Sequence, residues 1–165
     1  MFTAKFGIEI EFTGITRQRA AEVAAMVLGG TRRSEEVTAP DGRVWRFAYD
    51  GSIRVESRRG RQADAVELVS PILTYREDID TLQKLIRALR EAGGRVNSSC
   101  GIHIHLNGSN HTVRSIRNFV NIIAARNDLF YKALQIAPDR MRYCKKIAAR
   151  LVERMNQVKP RTLGQ

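Results

Sequence analysis

The order of nonpolar and polar residues predicts strands in several stretches of the chain. FGIEIEF (residues 6–12) and GIHIHLN (residues 101–107) alternate strictly, so that nonpolar side chains share one face of each predicted strand. AVELVSP is a third strand-like run, which Pro71 ends. Two Asp-Gly pairs within APDGRVWRFAYDGSIRVES (residues 39–57) are typical of tight turns that join further strands.

Other stretches have the periodicity of helices. TRQRAAEVAAMVLGG (residues 16–30) begins with Thr16, a residue type that caps helices, and ends at a Gly-Gly pair. EDIDTLQKLIRALREAGG (residues 77–94) has a nonpolar stripe and ends in the same way. After His111 the pattern is helical to the end, with one stripe before Pro138 and a second one after it, from Met141 to Met155. We therefore predict an α+β fold with an antiparallel or mixed sheet, helices packed on one face, and an all-helical C-terminal part.

Composition narrows the class of protein. A chain of 165 residues with 43% nonpolar and 27% charged residues is typical of one folded domain, which we place at residues 1–165. It has no nonpolar run long enough for a membrane span, and its first residues lack the nonpolar stretch of a signal peptide. Cys100 and Cys144 are too few for a disulfide framework, so we expect reduced thiols and a cytoplasmic location.

The net charge of +11 is concentrated in a basic helical segment at residues 111–165. This segment holds 12 Lys and Arg against 3 Asp and Glu, whereas the first 110 residues hold 16 against 14. A basic segment is typical of proteins that bind a polyanion such as nucleic acid, but a well-solvated helix surface has the same composition. The chain lacks the interleaved aromatic and basic residues of single-strand binders, which disfavours nucleic acid as the partner.

Acidic and imidazole side chains occupy the polar faces of three predicted strands: Glu9 and Glu11, Glu67, and His103 with His105. If these strands are neighbours, the five groups converge, because strands lie about 4.8 Å apart and alternate side chains about 6.5 Å apart. Carboxylate oxygens suit Mg²⁺ or Mn²⁺, while the imidazoles would also permit Zn²⁺ or Fe²⁺.

A solvated sheet face would explain each of these residues singly, since antiparallel sheets often expose one side to water. Like-charged carboxylates on one face repel each other, however, which favours a bound cation. Asp50 in the turn DGSI (residues 50–53) offers a further carboxylate at a strand end. The chain has no glycine-rich phosphate loop, so a nucleotide would be held in another way. The residues alone leave open a metal-dependent hydrolase or oxygenase, and a basic nucleic-acid-binding module without catalysis.

The order of the motifs FGIEIEF, DGSI, ELVSPIL, NSSCGIHIHL and RMRYCKK resembles that of the amidoligase family. These proteins are carboxylate–amine ligases with the fold of the glutamine synthetase catalytic domain and of glutamate–cysteine ligase. The resemblance extends from Phe6 to about Lys146. It implies that ATP drives formation of an amide or peptide bond through an acyl phosphate, with Mg²⁺ or Mn²⁺ as cofactor. The implied substrates are small-molecule or peptide carboxylates and amines.

The resemblance also implies roles for individual residues. The positions that match the family's metal ligands are Glu9, Glu11, Glu67 and His103. The positions that match its nucleotide contacts are Asp50, Ser52 and His105. His105 is also an implied catalytic residue, as a contact to a phosphate or to the acyl group, and Arg140 is the second one, as a partner of an anionic group.

Family members are expected to continue into further strands, which supply an acid and an arginine in a segment like EFR. This sequence ends instead in VKPRTLGQ after a predicted helix. We therefore expect a form that lacks the C-terminal part of the domain, with a second copy or a partner chain completing the site and covering the sheet edge.

Overall fold

The computed structural model describes residues 4–57 and 60–162, which divide into two compact units between residues 107 and 108. Within the described residues, the first unit holds a seven-stranded antiparallel sheet and two α-helices. In chain order its elements are β1 (Lys5–Phe12), α1 (Arg17–Leu28), β2 (Thr31–Arg33), β3 (Glu36–Thr38), β4 (Val44–Tyr49), β5 (Val66–Val69), β6 (Leu73–Thr74), α2 (Tyr75–Glu91) and β7 (Ile102–Leu106). The predicted α+β class is confirmed.

The strand β1 pairs with three other strands of this sheet. The strand order is β2-β3-β4-β5-β1-β6, and β7 also pairs with β1. Glu9 pairs with both Val69 of β5 and His103 of β7, so β5 and β7 lie along opposite edges of β1. The strand β6 follows β5 after Pro71 and pairs with the start of β1. The three strands that carry the candidate site are therefore adjacent.

Helices α1 and α2 pack with the nonpolar face of the sheet to form the core. Trp45 and Phe47 of β4 and Leu68 of β5 are almost fully buried there. The bounds of α1 agree with the prediction. The helix starts after Thr16, whose hydroxyl caps it by accepting a hydrogen bond from the N–H of Arg19. The helix stops at a glycine in the left-handed conformation, with φ of 62°.

Two features of residues 31–57 differ from the prediction. The short strands β2 and β3 have no nonpolar signature, because Val37 is the one residue of theirs in the buried core. The first Asp-Gly pair does form the turn between β3 and β4, but no strand follows the second pair, Asp50-Gly51, within the described residues 52–57. The backbone of Arg54 is instead hydrogen-bonded to the side chains of Asn97 and Ser99, so it does not pair with a strand there.

The second unit is helical, as predicted. It contains α3 (Val113–Ala133), a 3₁₀ turn at Pro138–Arg142 and α4 (Ala149–Val158). The stripe predicted after Pro138 is interrupted, because regular α-helix resumes only at Ala149. Among the described residues, no helix combines the length and the nonpolar character needed to cross a bilayer.

Asp78 of α2 is a buried acid that connects the helix to β6 and to Arg43. Its carboxylate accepts hydrogen bonds from the Arg43 guanidinium at 2.7 Å and from the N–H of Thr74 at 2.7 Å. We expect Asp78→Asn to lower the free energy of unfolding at pH 7 by about 1.5–3 kcal/mol, the usual contribution of hydrogen bonds to a charged group. Asp80→Asn changes an exposed acid of the same helix and is the matched control.

The difference in the free energy of unfolding between the wild type and Asp78→Asn should depend on pH. The Arg43 hydrogen bond is the main cause that holds the pKa of Asp78 below its ordinary 3.8. An acid with a lowered pKa in the folded state stabilises the protein above its ordinary pKa, and that stabilisation is lost as the pH falls through the folded value. Urea unfolding at a series of pH values should show the wild type and Asp78→Asn converging below pH 3.8. A gap that stays constant into acid would contradict this assignment.

Candidate functional site

The polar face of β1 carries the first two predicted site residues, Glu9 and Glu11. Pairing with β5 places Glu67 opposite Glu11, and pairing with β7 places His103 opposite Glu9, with His105 two residues farther along. The structure thus brings together the five groups that sequence analysis placed on three separate strands. They share a face because cross-strand partners in an antiparallel pair point to the same side.

Among the described residues, two groups of three have ligand atoms that all lie within 4.8 Å of one another. The first group is Glu9, Glu67 and His103, and the second is Glu11, Asp50 and Glu67. Glu67 belongs to both. Asp50 comes directly after β4, whose pairing with β5 brings this carboxylate close to Glu67. The resemblance placed Asp50 at the nucleotide, whereas its position here makes it a candidate metal ligand.

Both histidines of β7 contact the carboxylates of β1. His103 Nδ1 lies 3.0 Å from Glu9 Oε2, and His103 Nε2 lies 3.6 Å from Glu11 Oε1. His105 Nε2 lies 3.2 Å from Glu9 Oε2. Hydrogen bonds from His105 and then from His103 hold the pKa of Glu9 below its ordinary value. Glu9 is therefore a carboxylate that stays ionised at the centre of the site.

Glu67 has the opposite electrostatic situation. Burial raises its pKa, and the negative charges of Glu9, Asp50 and Glu11 raise it further. A carboxyl group with its pKa raised by neighbouring carboxylates marks a place where negative charge accumulates. Such a place favours the binding of a cation, which would relieve the repulsion.

Glu11 is held by a backbone contact that sequence analysis missed. The side chain is buried, and its Oε2 accepts a hydrogen bond from the N–H of Gly101 at 2.7 Å. The C=O of Gly101 accepts one from the N–H of Glu11 at 3.1 Å. The glycine just before the His-X-His strand was the available signal, but its partner depends on the register between β1 and β7.

Two other predicted residues, Ser52 and Arg140, belong to neither group of ligand atoms. Ser52 lies in the turn after β4, where its N–H donates to Asp50 Oδ1 at 2.8 Å and so helps to hold that carboxylate. Arg140 belongs to the second unit, and its guanidinium carbon lies 4.9 Å from the ring centre of Tyr143. The roles given to Ser52 and Arg140 by the resemblance stay predictions.

A cavity of about 390 Å³ adjoins the carboxylate cluster. Glu9 and His105 form part of its lining, as does Lys5, four residues before Glu9 along β1. Most of the remaining lining is nonpolar, including Val69 and Ile72. The site therefore combines a charged cluster with a mainly nonpolar recess beside it.

Comparison with known proteins identifies a family. The family model described as "putative amidoligase enzyme" matches residues 3–165, which span nearly the whole chain and both structural units. No curated protein matches, and no solved structure matches.

Proposed function

The chain belongs to the amidoligase family, and on this premise we propose that it is an ATP-dependent carboxylate–amine ligase with a glutamine synthetase-like sheet. The observation that carries the proposal is the pair of three-residue groups that share Glu67. Five oxygen or imidazole donors in two adjoining groups are a set that Mg²⁺ and Mn²⁺ accept. The family supports a ligase reaction, and the two groups of ligand atoms support the binding of two cations.

The residues fit two divalent cations. Glu9, Glu67 and His103 would hold one, and Glu11, Asp50 and Glu67 would hold the other. When bound, such cations neutralise the negative charge of the ATP phosphates and of the substrate carboxylate. The raised pKa of Glu67, caused by burial and then by the neighbouring carboxylates, supports this fit, because a cation would offset both effects.

His105 lies where the carboxylate cluster meets the cavity. Its Nε2 contact with Glu9 orients the imidazole, and with both ring nitrogens protonated its Nδ1–H would donate a hydrogen bond to a phosphate oxygen of the nucleotide. The mainly nonpolar cavity would take the ribose and base. The substrate carboxylate would then lie toward Glu11 and Asp50, at the other end of the cluster.

In the proposed reaction, an oxygen of the substrate carboxylate attacks the γ-phosphorus of ATP. The bond from that phosphorus to the β–γ bridging oxygen breaks, and ADP leaves. The amine nitrogen attacks the acyl carbon of the resulting acyl phosphate and loses a proton. The carbon–oxygen bond to the phosphate breaks, so the products are an amide and inorganic phosphate.

The test is to incubate the chain with ATP, Mg²⁺ or Mn²⁺, a panel of carboxylic acids and hydroxylamine. Hydroxylamine converts an acyl phosphate to a hydroxamate, so the natural amine need not be known. We expect acid-dependent ADP release and hydroxamate in the wild type, and neither in Glu9→Gln or His103→Ala. Absence of both products across the panel, together with tightly held Zn²⁺ or Fe²⁺ in the purified protein, would favour a hydrolase or oxygenase instead.

Substitution of Gly7 tests the placement of the nucleotide, because Gly7 lines the cavity between Lys5 and Glu9. A Cβ added there would meet the His105 Cβ at 3.9 Å, an ordinary contact, so a strand-favouring valine should fit the fold while filling the cavity. We expect Gly7→Val to raise the KM for ATP about tenfold, equivalent to ~1.4 kcal/mol, without lowering the unfolding midpoint. Gly7→Ala should have a smaller effect. An equal KM in all three proteins would contradict this placement.

A further inference from the structure

Two segments outside the helices and strands meet beside Glu11. The first follows β4 and runs from Asp50 to Arg54, and the second precedes β7 and runs from Asn97 to Gly101. In the part of the chain that the structure describes, neither segment belongs to a strand of the sheet. The pairing of β4 with β5 sets where Asp50 begins, and contacts between the two segments hold the turn that follows it.

The side chain of Asn97 joins these segments. Its Nδ2 donates a hydrogen bond to the C=O of Arg54 at 2.8 Å. Its Oδ1 accepts hydrogen bonds from the N–H of Ser99 at 2.9 Å and from the Ser99 hydroxyl at 2.6 Å. Ser99 Oγ in turn accepts one from the N–H of Arg54 at 2.8 Å. Both backbone polar groups of Arg54 are thus bound by side chains of the second segment, in place of the pairing that a strand would provide.

Each segment also contributes to the group of ligands formed by Glu11, Asp50 and Glu67. Gly101, at the end of the second segment, donates its N–H to Glu11. Asp50 begins the first segment, and its C=O accepts the N–H of Ile53, which is buried with 4% of its surface exposed. Asn97 therefore links the backbone that holds Glu11 to the backbone that bears Asp50. The group Glu9, Glu67 and His103 draws no member from either segment.

We infer that Asn97 is a positioning residue for the cation site formed by Glu11, Asp50 and Glu67. The inference rests on the proposed function, because it concerns how one of the two proposed cation sites is held. Removing the amide leaves the C=O of Arg54 without its donor and loosens the turn from Asp50 to Arg54 against the segment that holds Glu11. The effect should be selective, since the other cation site is built on paired strands.

The test measures Mn²⁺ binding to the full chain by titration calorimetry and by electron paramagnetic resonance. We expect two bound Mn²⁺ in the wild type. In Asn97→Ala, one site should weaken about 10- to 100-fold, the usual effect of losing a group that supports a ligand, while the other keeps its affinity within about twofold. Ser98→Ala is the matched control, because among the described residues its hydroxyl makes a single long contact, 3.4 Å from the Arg54 guanidinium.

A milder second variant keeps the test decisive if Asn97→Ala folds poorly. Ser99→Ala removes the contact to the Arg54 N–H, and we expect the same single site to weaken by a smaller factor. If both variants bind Mn²⁺ at two unchanged sites, the inference is overturned but the proposed function is not. Equal weakening of both sites would also overturn the inference, because a merely structural role would cause it. A wild-type chain that binds no Mn²⁺ would overturn the proposed function and the inference with it.

Discussion

Glu67→Gln is expected to lower the rate of amide formation about 1000-fold or more while making the metal-free protein more stable at neutral pH. Glu67 is the residue shared by both candidate cation groups, so its loss removes a ligand from each. The charge stabilisation that metals supply is worth several kcal/mol, and ~4 kcal/mol corresponds to the factor of about 1000.

The stability gain follows from the raised pKa of Glu67. A carboxyl group with a raised pKa in the folded state stabilises the protein below its ordinary pKa, and this contribution is lost as the pH rises through the folded value. Glutamine stays neutral throughout, so the advantage of the variant over the wild type should grow from acid to neutral pH. Adding Mn²⁺ should reverse the order, because only the wild type keeps the complete ligand set.

The measurements are hydroxamate formation and thermal unfolding from pH 4 to 8, with and without Mn²⁺. Glu36→Gln is the matched control, because Glu36 is an exposed glutamate of the same sheet outside both cation groups. It should change neither activity nor the response to Mn²⁺. Full activity in Glu67→Gln would contradict the shared-ligand assignment, and a loss of stability without metal would contradict the cost assigned to burying the Glu67 charge near other carboxylates.

Trp45→Ala is expected to lower the free energy of unfolding by about 3–5 kcal/mol, the usual effect of truncating a buried aromatic residue. Trp45 is 1% exposed and lies on the core face of β4, the strand that packs with α1. The next residue, Arg46, has 64% of its side chain exposed, so Arg46→Ala should change stability by no more than about 0.5 kcal/mol.

The pair is compared by urea unfolding followed by circular dichroism, since Trp45 is the single tryptophan and its fluorescence would be lost. A loss below about 1 kcal/mol for Trp45→Ala would contradict its place in the core, given that cavities formed by such truncations are costly. A loss for Arg46→Ala equal to that for Trp45→Ala would contradict the assignment of the two faces.

Much of the first unit could be predicted because local pattern and tertiary environment agree. In β1, the residues on the face that packs toward the core are nonpolar and most of the alternate residues are polar, so the period of two is visible in the sequence. In α2, Leu82, Leu85 and Leu89 are buried at helical spacing. The strands β2 and β3 could not be found in this way, because hairpin pairing rather than burial defines TRR and EVT.

The candidate site was predictable strand by strand but not as an assembly. Glu9 and Glu11 are two residues apart, so one strand assignment places both on the same face. The closeness of Asp50 to Glu67 depends on the pairing of β4 with β5, and the link from Asn97 to Arg54 spans 43 residues. Neither contact leaves a local pattern in the sequence. An asparagine that only stabilises its own turn, for example, cannot be distinguished by sequence from one that also joins two segments.

The strand β1 has a further consequence for how this protein can evolve. Its alternate residues serve the core on one side and the carboxylate site on the other, and it pairs with β5, β6 and β7. Insertion or deletion of a single codon in its middle would exchange the two sides for the rest of the strand, turning Glu11 toward the helices and Phe12 toward the site. Substitutions can accumulate along β1 one position at a time, but its length is fixed, so homologous sequences should align through this strand without gaps.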